Sequence, residues 1–430
     1  MRAQNGREAA LEALRRMRRA GTYSSDAVDA VVREAALEPR EAAFCTRLVR
    51  ETLQNLYFID YYLNFWSNTP AKRLEPAVLD ILRISACQLL FMDRVPAPAA
   101  VNEGVGLCTK AGCRRASGLV NSVLRRVAEH RDRLPEIPGA GTVEYLATRY
   151  SHELWQVQEL IERRGYEGAE AVLAANNTEP PLTVQTNTLR CTAEELLERF
   201  AKQGLEAETG LSEGEIVLKN AGRADLLPGF AKGLFYVQDA AAKLAVLASG
   251  VRPGLKVLDC CAAPGGKSFG AAILMQGRGE IISCDLQEKK LRRIDEGARR
   301  LGLGCITTQA MDARCPEQEL LGSMDVVIAD APCSGLGVIR KKPEIRFKRK
   351  AELEALPGIQ LDILRGASGC VRPGGTLLYS TCTTRKCENE DVVAAFLRGN
   401  GDFTVSEQRT LWPDTDGTDG FFICRMERSI

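Results

Sequence analysis

Histidine is scarce in this sequence: only His130 and His152 occur among 430 residues. Two imidazoles are too few for a histidine-rich zinc site, and they leave almost nothing from which a Ser-His-Asp triad could be built. Catalysis is therefore expected to rest on Cys, Asp, Glu or Lys side chains, and no bound metal is expected.

Long hydrophobic runs are also missing. No stretch approaches the roughly 18 consecutive apolar residues that a membrane-spanning helix needs. The N-terminus, MRAQNGREAALEALRRMRRAG, carries Arg and Glu side chains where a secretory signal would have an apolar segment. A chain with 45% apolar and 26% charged residues has the composition of a soluble globular protein. We expect a cytoplasmic protein with no membrane partner.

Cysteine, by contrast, is abundant, with 15 residues. Their spacing is neither even nor tight and nothing points to secretion, so reduced thiols are expected rather than a disulfide framework. At least one of these thiols could therefore be chemically active.

The formal net charge of +1 conceals an uneven distribution. Residues 1–140 and 251–430 are net basic, whereas residues 141–250 are net acidic. The densest basic stretch, 340–350, holds seven positive side chains, one Glu and the aromatic Phe347. By itself it could be a solvated loop, but its place soon after a predicted active-site loop favours phosphate contacts beside a base-stacking surface.

Three regions differ in their patterns. Residues 1–135 repeat apolar side chains at three- and four-residue intervals, which predicts an all-α bundle. A Pro- and Gly-containing stretch at 135–141 predicts a linker. Residues 142–235 mix helical runs with short β-prone pieces and predict a small α+β domain that could contact RNA through one polar patch. The candidates for that patch are Arg149, His152, Gln185 and Asn187.

Residues 236–430 alternate strands with helices, which predicts an α/β Rossmann-like domain around a parallel sheet. The candidate strands are short, apolar and rich in β-branched residues, and they span 256–259, 279–285, 305–308, 324–330 and 375–380. In such sheets ligands bind beyond the carboxyl ends of the strands. The functional site is therefore expected at that edge.

The loop after the first of these strands reads DCCAAPGGKS over residues 259–268. Its glycines would let a nucleotide-like ligand approach the backbone. A phosphate-loop ATPase is disfavoured because the required glycine five positions before Gly266 is Cys261. A dinucleotide is disfavoured because no GxGxxG is present.

Two acidic residues follow the next two strands. Asp285 ends the second strand, about 20 residues beyond the glycines, where a carboxylate can accept from ribose hydroxyls. Asp312 follows the third strand, where it could accept from an adenine amino group. Together with the small-residue loop, these positions favour an adenosyl cofactor without a pyrophosphate, which is S-adenosyl-L-methionine.

Two cysteines follow the fourth and fifth strands, Cys333 within DAPCSG and Cys382 within YSTCT. A buried structural cysteine is the more common reading of any one thiol. Both of these, however, lie beside turn-forming or polar residues at the ligand edge, which favours catalysis.

With these motifs in hand, the chain resembles the RsmB (Sun) family of 16S ribosomal RNA cytosine-C5 methyltransferases. CCAAPGGKS, DAPCSG and YSTCT carry the resemblance, and FYVQD at 235–239 and DGFF at 419–422 agree with it. The helical front part resembles a NusB-like RNA-binding domain in the segments 101–105 and 118–125. A purely structural bundle is the alternative for that part.

The resemblance implies methyl transfer from S-adenosyl-L-methionine to carbon 5 of a cytosine in 16S rRNA, of the position-967 type, through a covalent bond between a cysteine and carbon 6. Cys382 would be the nucleophile, Cys333 would assist release, Asp330 would hydrogen-bond the ring, and Lys267 would orient Cys382 or the base. The cofactor would be surrounded by Cys261, Ala262, Ala263, Pro264, Gly265, Gly266, Lys267, Asp285, Asp312 and Asp330.

The resemblance also implies an RNA partner, 16S rRNA in its free or early-assembly form, and a monomer. Two departures from the family's usual pattern stand out: Lys342 replaces a His, and Cys260 precedes Cys261. Three alternatives remain open: a cytosine-C5 methyltransferase that acts on tRNA or 23S rRNA, a non-catalytic RNA-binding assembly factor, and a phosphate-loop ATPase.

Overall fold

The computed structural model describes residues 3–219 and 221–430. The chain packs into two compact units. The first contains the chain up to residue 178 together with 339–350, and the second contains 179–338 and 351–430. The predicted domain boundaries, at 135/142 and 235/236, stay predictions. Over the described residues, no helix combines the length and apolarity that crossing a membrane requires.

The first unit is helical, as predicted for the front of the chain. Amphipathic repeats bury side chains such as Leu11, Leu48 and Ile81 completely, and this shared core holds the helices together. The helix Leu154–Ala175 is interrupted at Gly165, which has a φ of +71°. The helices of the described part are α1 (Gly6–Ala20), α2 (Ser24–Ala35), α3 (Pro39–Gln54), α4 (Leu56–Trp66), α5 (Pro76–Phe91), α6 (Ala97–Lys110), α7 (Ser117–His130), α8 (Val143–Tyr150) and α9 (Leu154–Ala175).

The basic stretch 340–350 packs within this helical unit. The structure contradicts the predicted RNA contact for Arg346, and contact by the exposed cations stays a prediction. Arg346 is fully buried, and its guanidinium donates to the backbone carbonyl of Gln54 at 2.6 Å and to Oδ1 of Asn177 at 2.8 Å. Phe347 packs edge-on against Tyr57, with ring centroids 5.3 Å apart, so this aromatic is part of a core contact. Exposed cations remain in the stretch at positions 342, 349 and 350.

Burial lowers the pKa of Arg346 to about 9, so its guanidinium stays charged at neutral pH. We expect Arg346→Met to destabilise the helical unit by about 3 kcal/mol, because buried carbonyl acceptors would lose their donors. Thermal unfolding followed by circular dichroism measures this as a midpoint several degrees lower. The matched control is Arg349→Met, which removes an exposed cation from the same segment. Equal midpoints for the two variants would refute the assigned role.

The second unit begins with a small α+β part, which confirms the predicted class. Its four strands form one antiparallel sheet in which the first strand along the chain, Leu182–Thr186, lies between the third, Glu215–Lys219, and the fourth, Phe235–Val237, and the second pairs with the third at the edge. The capping box of Thr192 and Glu195 starts the helix of this part. The elements are β1 (Leu182–Thr186), α10 (Ala193–Ala201), β2 (Glu206–Thr209), β3 (Glu215–Lys219) and β4 (Phe235–Val237). The β-prone pieces of the sequence, at 182–187 and 214–218, correspond to β1 and β3. Strands β2 and β4 were missed, and β2 is largely exposed and lacks an apolar pattern.

Three of the four predicted RNA-contact residues of the middle region are buried with internal partners. His152 is fully buried, with Nδ1 2.7 Å from the carbonyl of Tyr150, and burial holds its pKa well below the usual value. Gln185 and Asn187 are also buried, and Asn187 donates to two backbone carbonyls at 2.9 Å. The prediction that these three residues contact RNA was wrong, because their polar side chains are buried and form hydrogen bonds inside the protein.

The larger sheet of the second unit has seven strands in the order β10-β11-β9-β8-β5-β6-β7. Five strands are parallel, as predicted, while β10 and β11 extend the edge in antiparallel pairing and were missed. The elements are α11 (Ala240–Ala248), β5 (Lys256–Asp259), α12 (Gly266–Leu274), β6 (Glu280–Asp285), α13 (Glu288–Leu301), β7 (Ile306–Ala310), β8 (Met324–Asp330), α14 (Leu356–Cys370), β9 (Val371–Thr381), α15 (Glu390–Gly399), β10 (Phe403–Leu411) and β11 (Phe421–Arg428). The order reverses beside β5, which opens a crevice at the carboxyl ends of β5 and β8.

Candidate active site

The loop from Asp259 to Gly266 joins β5 to α12 and shapes the predicted cofactor site. Gly265 caps α12 with a φ of +109°, and a Cβ there would lie 2.5 Å from the ring of Phe269. Only glycine fits both the left-handed backbone and the close ring. The loop is fixed to the neighbouring strand because Ala262 donates its N–H to the carbonyl of Cys284 at 2.7 Å.

A cavity of about 200 Å³ opens beside this loop. The structure brings most of the predicted cofactor residues to its wall, together with residues that the sequence reading had not assigned. The wall is formed by Val237, Gln238, Asp239, Ala242, Asp259, Cys261, Ala262, Ala263, Pro264, Gly266, Lys267 and Asp330.

Asp259 is a fully buried carboxyl group on this wall. Its Oδ2 accepts from the Ser268 hydroxyl at 2.7 Å, and Ser283 in turn donates to Ser268 at 2.8 Å. Its Oδ1 has no hydrogen-bond partner among the described residues. Burial raises the pKa of Asp259 to about 7. The cavity therefore offers an unsatisfied acceptor to a ligand that brings a donor.

Lys267 and Asp330 form an ion pair where α12 faces the end of β8. Lys267 Nζ lies 2.7 Å from Asp330 Oδ2, and the Ser380 hydroxyl donates to Oδ1 at 2.8 Å. The Lys267 ammonium also lies 5.1 Å from the ring centroid of Phe421. Lys267 was expected to orient Cys382 or the base. The structure pairs its ammonium group with the Asp330 carboxylate instead.

The two predicted catalytic thiols meet at the ends of the neighbouring strands β8 and β9. The Sγ atoms of Cys333 and Cys382 lie 3.2 Å apart, and either thiol can be the donor. The interaction with Cys382 and burial raise the pKa of Cys333 well above its usual value, so Cys333 holds its proton at neutral pH. A protonated Cys333 can donate to a thiolate on Cys382, which stabilises the nucleophilic form.

Asp285 ends β6 and Asp312 lies two residues after the adjacent strand β7, but neither lines this cavity. Asp285 Oδ1 accepts from the N–H of Gln287 at 2.9 Å and lies 3.7 Å from Lys290 Nζ. Asp312 is paired with Arg314 at 2.6 Å, and hydrogen bonds from that guanidinium lower the pKa of Asp312. Their roles toward an adenosyl group stay predictions.

Comparison with known proteins relates all parts of the chain to ribosomal RNA methyltransferases. The family description "16S rRNA methyltransferase RsmB/F" matches residues 248–427. The NusB family matches residues 4–129, and the ferredoxin-like domain of RsmF/B-like methyltransferases matches 152–225. A probable ribosomal RNA small subunit methyltransferase B of Bacillus subtilis is 35% identical over 98% of each chain. The chain belongs to the RsmB/F family of 16S rRNA methyltransferases.

Two further comparisons cover the same length. A probable small subunit methyltransferase B of Synechocystis is 30% identical over 99% of this chain and 100% of its own. The crystal structure of PH0851 has the same fold, with a TM-score of 0.83 and 24% identity over 99% of both chains. The predicted family and the three-part fold class are therefore confirmed, and the protein is an rRNA methyltransferase.

In this RsmB/F family member, several residues around the site were not predicted as functional. Gln238 and Asp239 lie on the cavity wall, and the FYVQD resemblance was the signal that could have identified them. Gly337 donates its N–H to the carbonyl of Cys382 at 2.9 Å. A Cβ on Gly337 would lie 1.7 Å from the carbonyl oxygen of Gly420, so no larger residue fits at position 337. Gly420 belongs to the DGFF segment, which therefore packs directly against the turn that holds the Cys382 backbone.

Proposed function

We propose that the protein transfers a methyl group from S-adenosyl-L-methionine to carbon 5 of a cytosine in 16S rRNA through a covalent bond between Cys382 and carbon 6. The observation that carries this proposal is the pair of thiols, Cys333 and Cys382, with Sγ atoms 3.2 Å apart at the ends of β8 and β9. Asp330 lies three residues before Cys333 in the chain and, like its ion-pair partner Lys267, lines the cavity. It therefore links the segment of one thiol to the cavity.

The residues of the cavity fit the proposed cofactor. Asp259 presents a buried carboxylate oxygen without a partner, which suits the amino group of a methionine moiety. The Ala262–Gly266 stretch presents small side chains and backbone, which suits close approach of a bulky ligand. When bound, S-adenosyl-L-methionine supplies the electrophilic methyl group that carbon 5 receives.

Carbon 5 of cytosine is too weak a nucleophile to take a methyl group directly. Cys382 Sγ adds to carbon 6, and the electron pair of the C5–C6 double bond becomes available at carbon 5. The Cys333 thiol donates to Cys382 and so favours the thiolate that this step needs.

The Asp330–Lys267 pair is suited to stabilising charge that develops on the ring. The lysine ammonium holds one carboxylate oxygen at 2.7 Å, so a proton can be shared between this pair and a ring nitrogen. A fixed, half-buried ion pair needs little reorganisation when that charge appears, and this is the source of electrostatic stabilisation in enzymes.

Release requires loss of the carbon 5 proton and then departure of the Cys382 thiol by elimination. Before attack, the interaction with Cys382 is the largest cause that keeps the pKa of Cys333 high. Formation of the Cys382–C6 bond removes the charge from that sulfur, so Cys333 becomes easier to deprotonate once a base is needed. Cys333 is thus suited to act as base, or as base relay, after attack and not before.

Ribosomal RNA of the small subunit is favoured over tRNA or 23S rRNA as the substrate, because the relatives of Bacillus and Synechocystis are named ribosomal RNA small subunit methyltransferases. A base paired within a duplex is hidden, so the target cytosine is proposed to lie in a loop or to be flipped out. A non-catalytic assembly role is disfavoured because it would not need two adjoining thiols at the carboxyl edge of the sheet.

Bisulfite mapping of ribosomal RNA tests the reaction and its target. Cells with the gene should show one unconverted cytosine in 16S rRNA that becomes convertible in a deletion strain and is restored by the intact gene. A difference that appears in tRNA or 23S rRNA would move the activity to that RNA. Identical maps in both strains would contradict the proposed reaction.

A further inference from the structure

We propose that Asn389 is a positioning residue for Cys382, because its carboxamide binds the two chain neighbours of that cysteine at the same time. The inference rests on the proposed role of Cys382 as nucleophile.

The contacts of Asn389 surround Cys382 on both sides. Its Oδ1 accepts from the Thr381 hydroxyl at 2.6 Å, and its Nδ2 donates to the backbone carbonyl of Thr383 at 2.9 Å. Asn389, Thr381 and Thr383 are all fully buried. Hydrogen bonds shielded from water hold their geometry more strongly than exposed ones. The backbone on each side of the thiol is therefore fixed by a single side chain.

An amide is suited to this place because it offers an acceptor and a donor together. A carboxylate could accept from Thr381, but it would have no proton to donate to the carbonyl of Thr383. It would also bring a negative charge close to the sulfur that must become a thiolate. Asn389 fixes the Cys382 segment while it adds no net charge.

A separate set of contacts holds Cys333. Glu388 Oε2 accepts from the N–H of Ser334 at 2.8 Å and from Gln360 Nε2 at 2.9 Å, and Gln360 Nε2 also donates to the carbonyl of Pro332 at 3.0 Å. Pro332 and Ser334 are the chain neighbours of Cys333. None of these bonds uses the Asn389 side chain. The Ser334 hydroxyl donates to Thr383 Oγ1 at 2.9 Å and links the two sets, but the Asn389 side chain itself bonds only to the neighbours of Cys382, so a change at Asn389 acts first on the Cys382 side.

With both neighbours fixed, rotation about its own side-chain bonds is the main freedom left to Cys382 Sγ. Attack on carbon 6 needs the sulfur within about 3–3.5 Å of that carbon and in line with its orbital, and a misplacement of about 1 Å can cost on the order of 10²-fold in rate. Loss of the Asn389 contacts should therefore slow formation of the sulfur–carbon bond far more than binding of RNA.

The test uses the full chain with S-adenosyl-L-methionine and 16S rRNA transcribed with 5-fluorocytosine. After attack and methyl transfer, the fluorine at carbon 5 cannot be removed as a proton is, so elimination is blocked and the protein stays bound to RNA. The band on a denaturing gel therefore counts attacks that proceed to methyl transfer. Asn389→Ala should form this adduct roughly 10²-fold more slowly than the unchanged chain. Its affinity for RNA should stay the same.

Asn400→Ala is the matched control, since Asn400 follows α15 and donates to the Phe396 carbonyl at 2.8 Å, within its own helix region. Its adduct rate should equal that of the unchanged chain. Asn389→Asp, which keeps the shape, should form adduct slowly and should move the pH–rate profile to higher pH, because a nearby carboxylate disfavours the thiolate. A variant whose only effect is a loss of stability, with residue 389 away from the sulfur, would leave that profile in place.

The outcomes separate the two proposals. If the unchanged chain forms no adduct, the nucleophilic mechanism fails. If the unchanged chain forms adduct and Asn389→Ala forms it equally fast, the positioning role is overturned while the mechanism stands. If Asn389→Ala does not fold, as shown by its thermal midpoint, Asn389→Asp decides: an unchanged rate and profile overturn the positioning role, and the expected shift supports it.

Discussion

Cys382→Ala is expected to reduce methyl transfer by at least roughly 10⁴-fold. The cytosine ring needs a thiolate at carbon 6 before carbon 5 can react, and the neighbouring Cys333 holds its proton at neutral pH. Transfer of a radioactive methyl group to 16S rRNA under single-turnover conditions measures the loss.

Cys315→Ala is the matched control for Cys382→Ala, because Cys315 is an exposed thiol of the same unit and is not assigned to the site. It should keep full activity. Retained methyl transfer by Cys382→Ala would refute the nucleophile assignment, whereas loss of activity in both variants would point to a general effect of cysteine replacement.

Cys333→Ala is expected to accumulate protein covalently bound to ordinary 16S rRNA. Attack by Cys382 and receipt of the methyl group do not need Cys333 as a base, but removal of the carbon 5 proton does. The reaction should therefore stop after about one turnover, with most of the protein in a slowly migrating band on a denaturing gel.

The double variant Cys333→Ala with Cys382→Ala shows whether that band comes from the assigned nucleophile, and it should give no band at all. Continued multiple turnover by Cys333→Ala, with no shifted species, would contradict the release role. A band that persists in the double variant would mean that another residue bonds to the RNA.

Much of the catalytic fold could be predicted because its signals are local. Strand β8 is a buried run of apolar and β-branched residues, and a parallel sheet brings the end of such a strand to the same edge as its neighbours. The meeting of Cys333 and Cys382 follows from that rule. Strand β10 escaped prediction because it is an edge strand whose residues are mostly exposed, so it carries no clear apolar alternation.

Arg346 shows where local reasoning failed. Seven cations within eleven residues predicted an exposed surface that contacts phosphates, and nothing in the sequence indicates that one guanidinium is fully buried. Its acceptors belong to Gln54, Tyr150 and Asn177, which lie between about 170 and 290 residues away in the chain. Only folding brings such distant acceptors to one point.

Sequence alone determined which reactive groups are available to this protein: too few imidazoles for a histidine-rich zinc site or a Ser-His-Asp triad, thiols after two predicted strands, and a small-residue loop that suits close approach of a ligand. The tertiary structure decided which of these groups act on one another. It set the 3.2 Å separation of the thiols, paired Lys267 with Asp330 and placed Asn389 across Cys382. Periodicity and residue type indicate which element forms and which of its faces is buried. Hydrogen bonds between distant segments depend on how the elements pack, and no local sequence pattern contains that information.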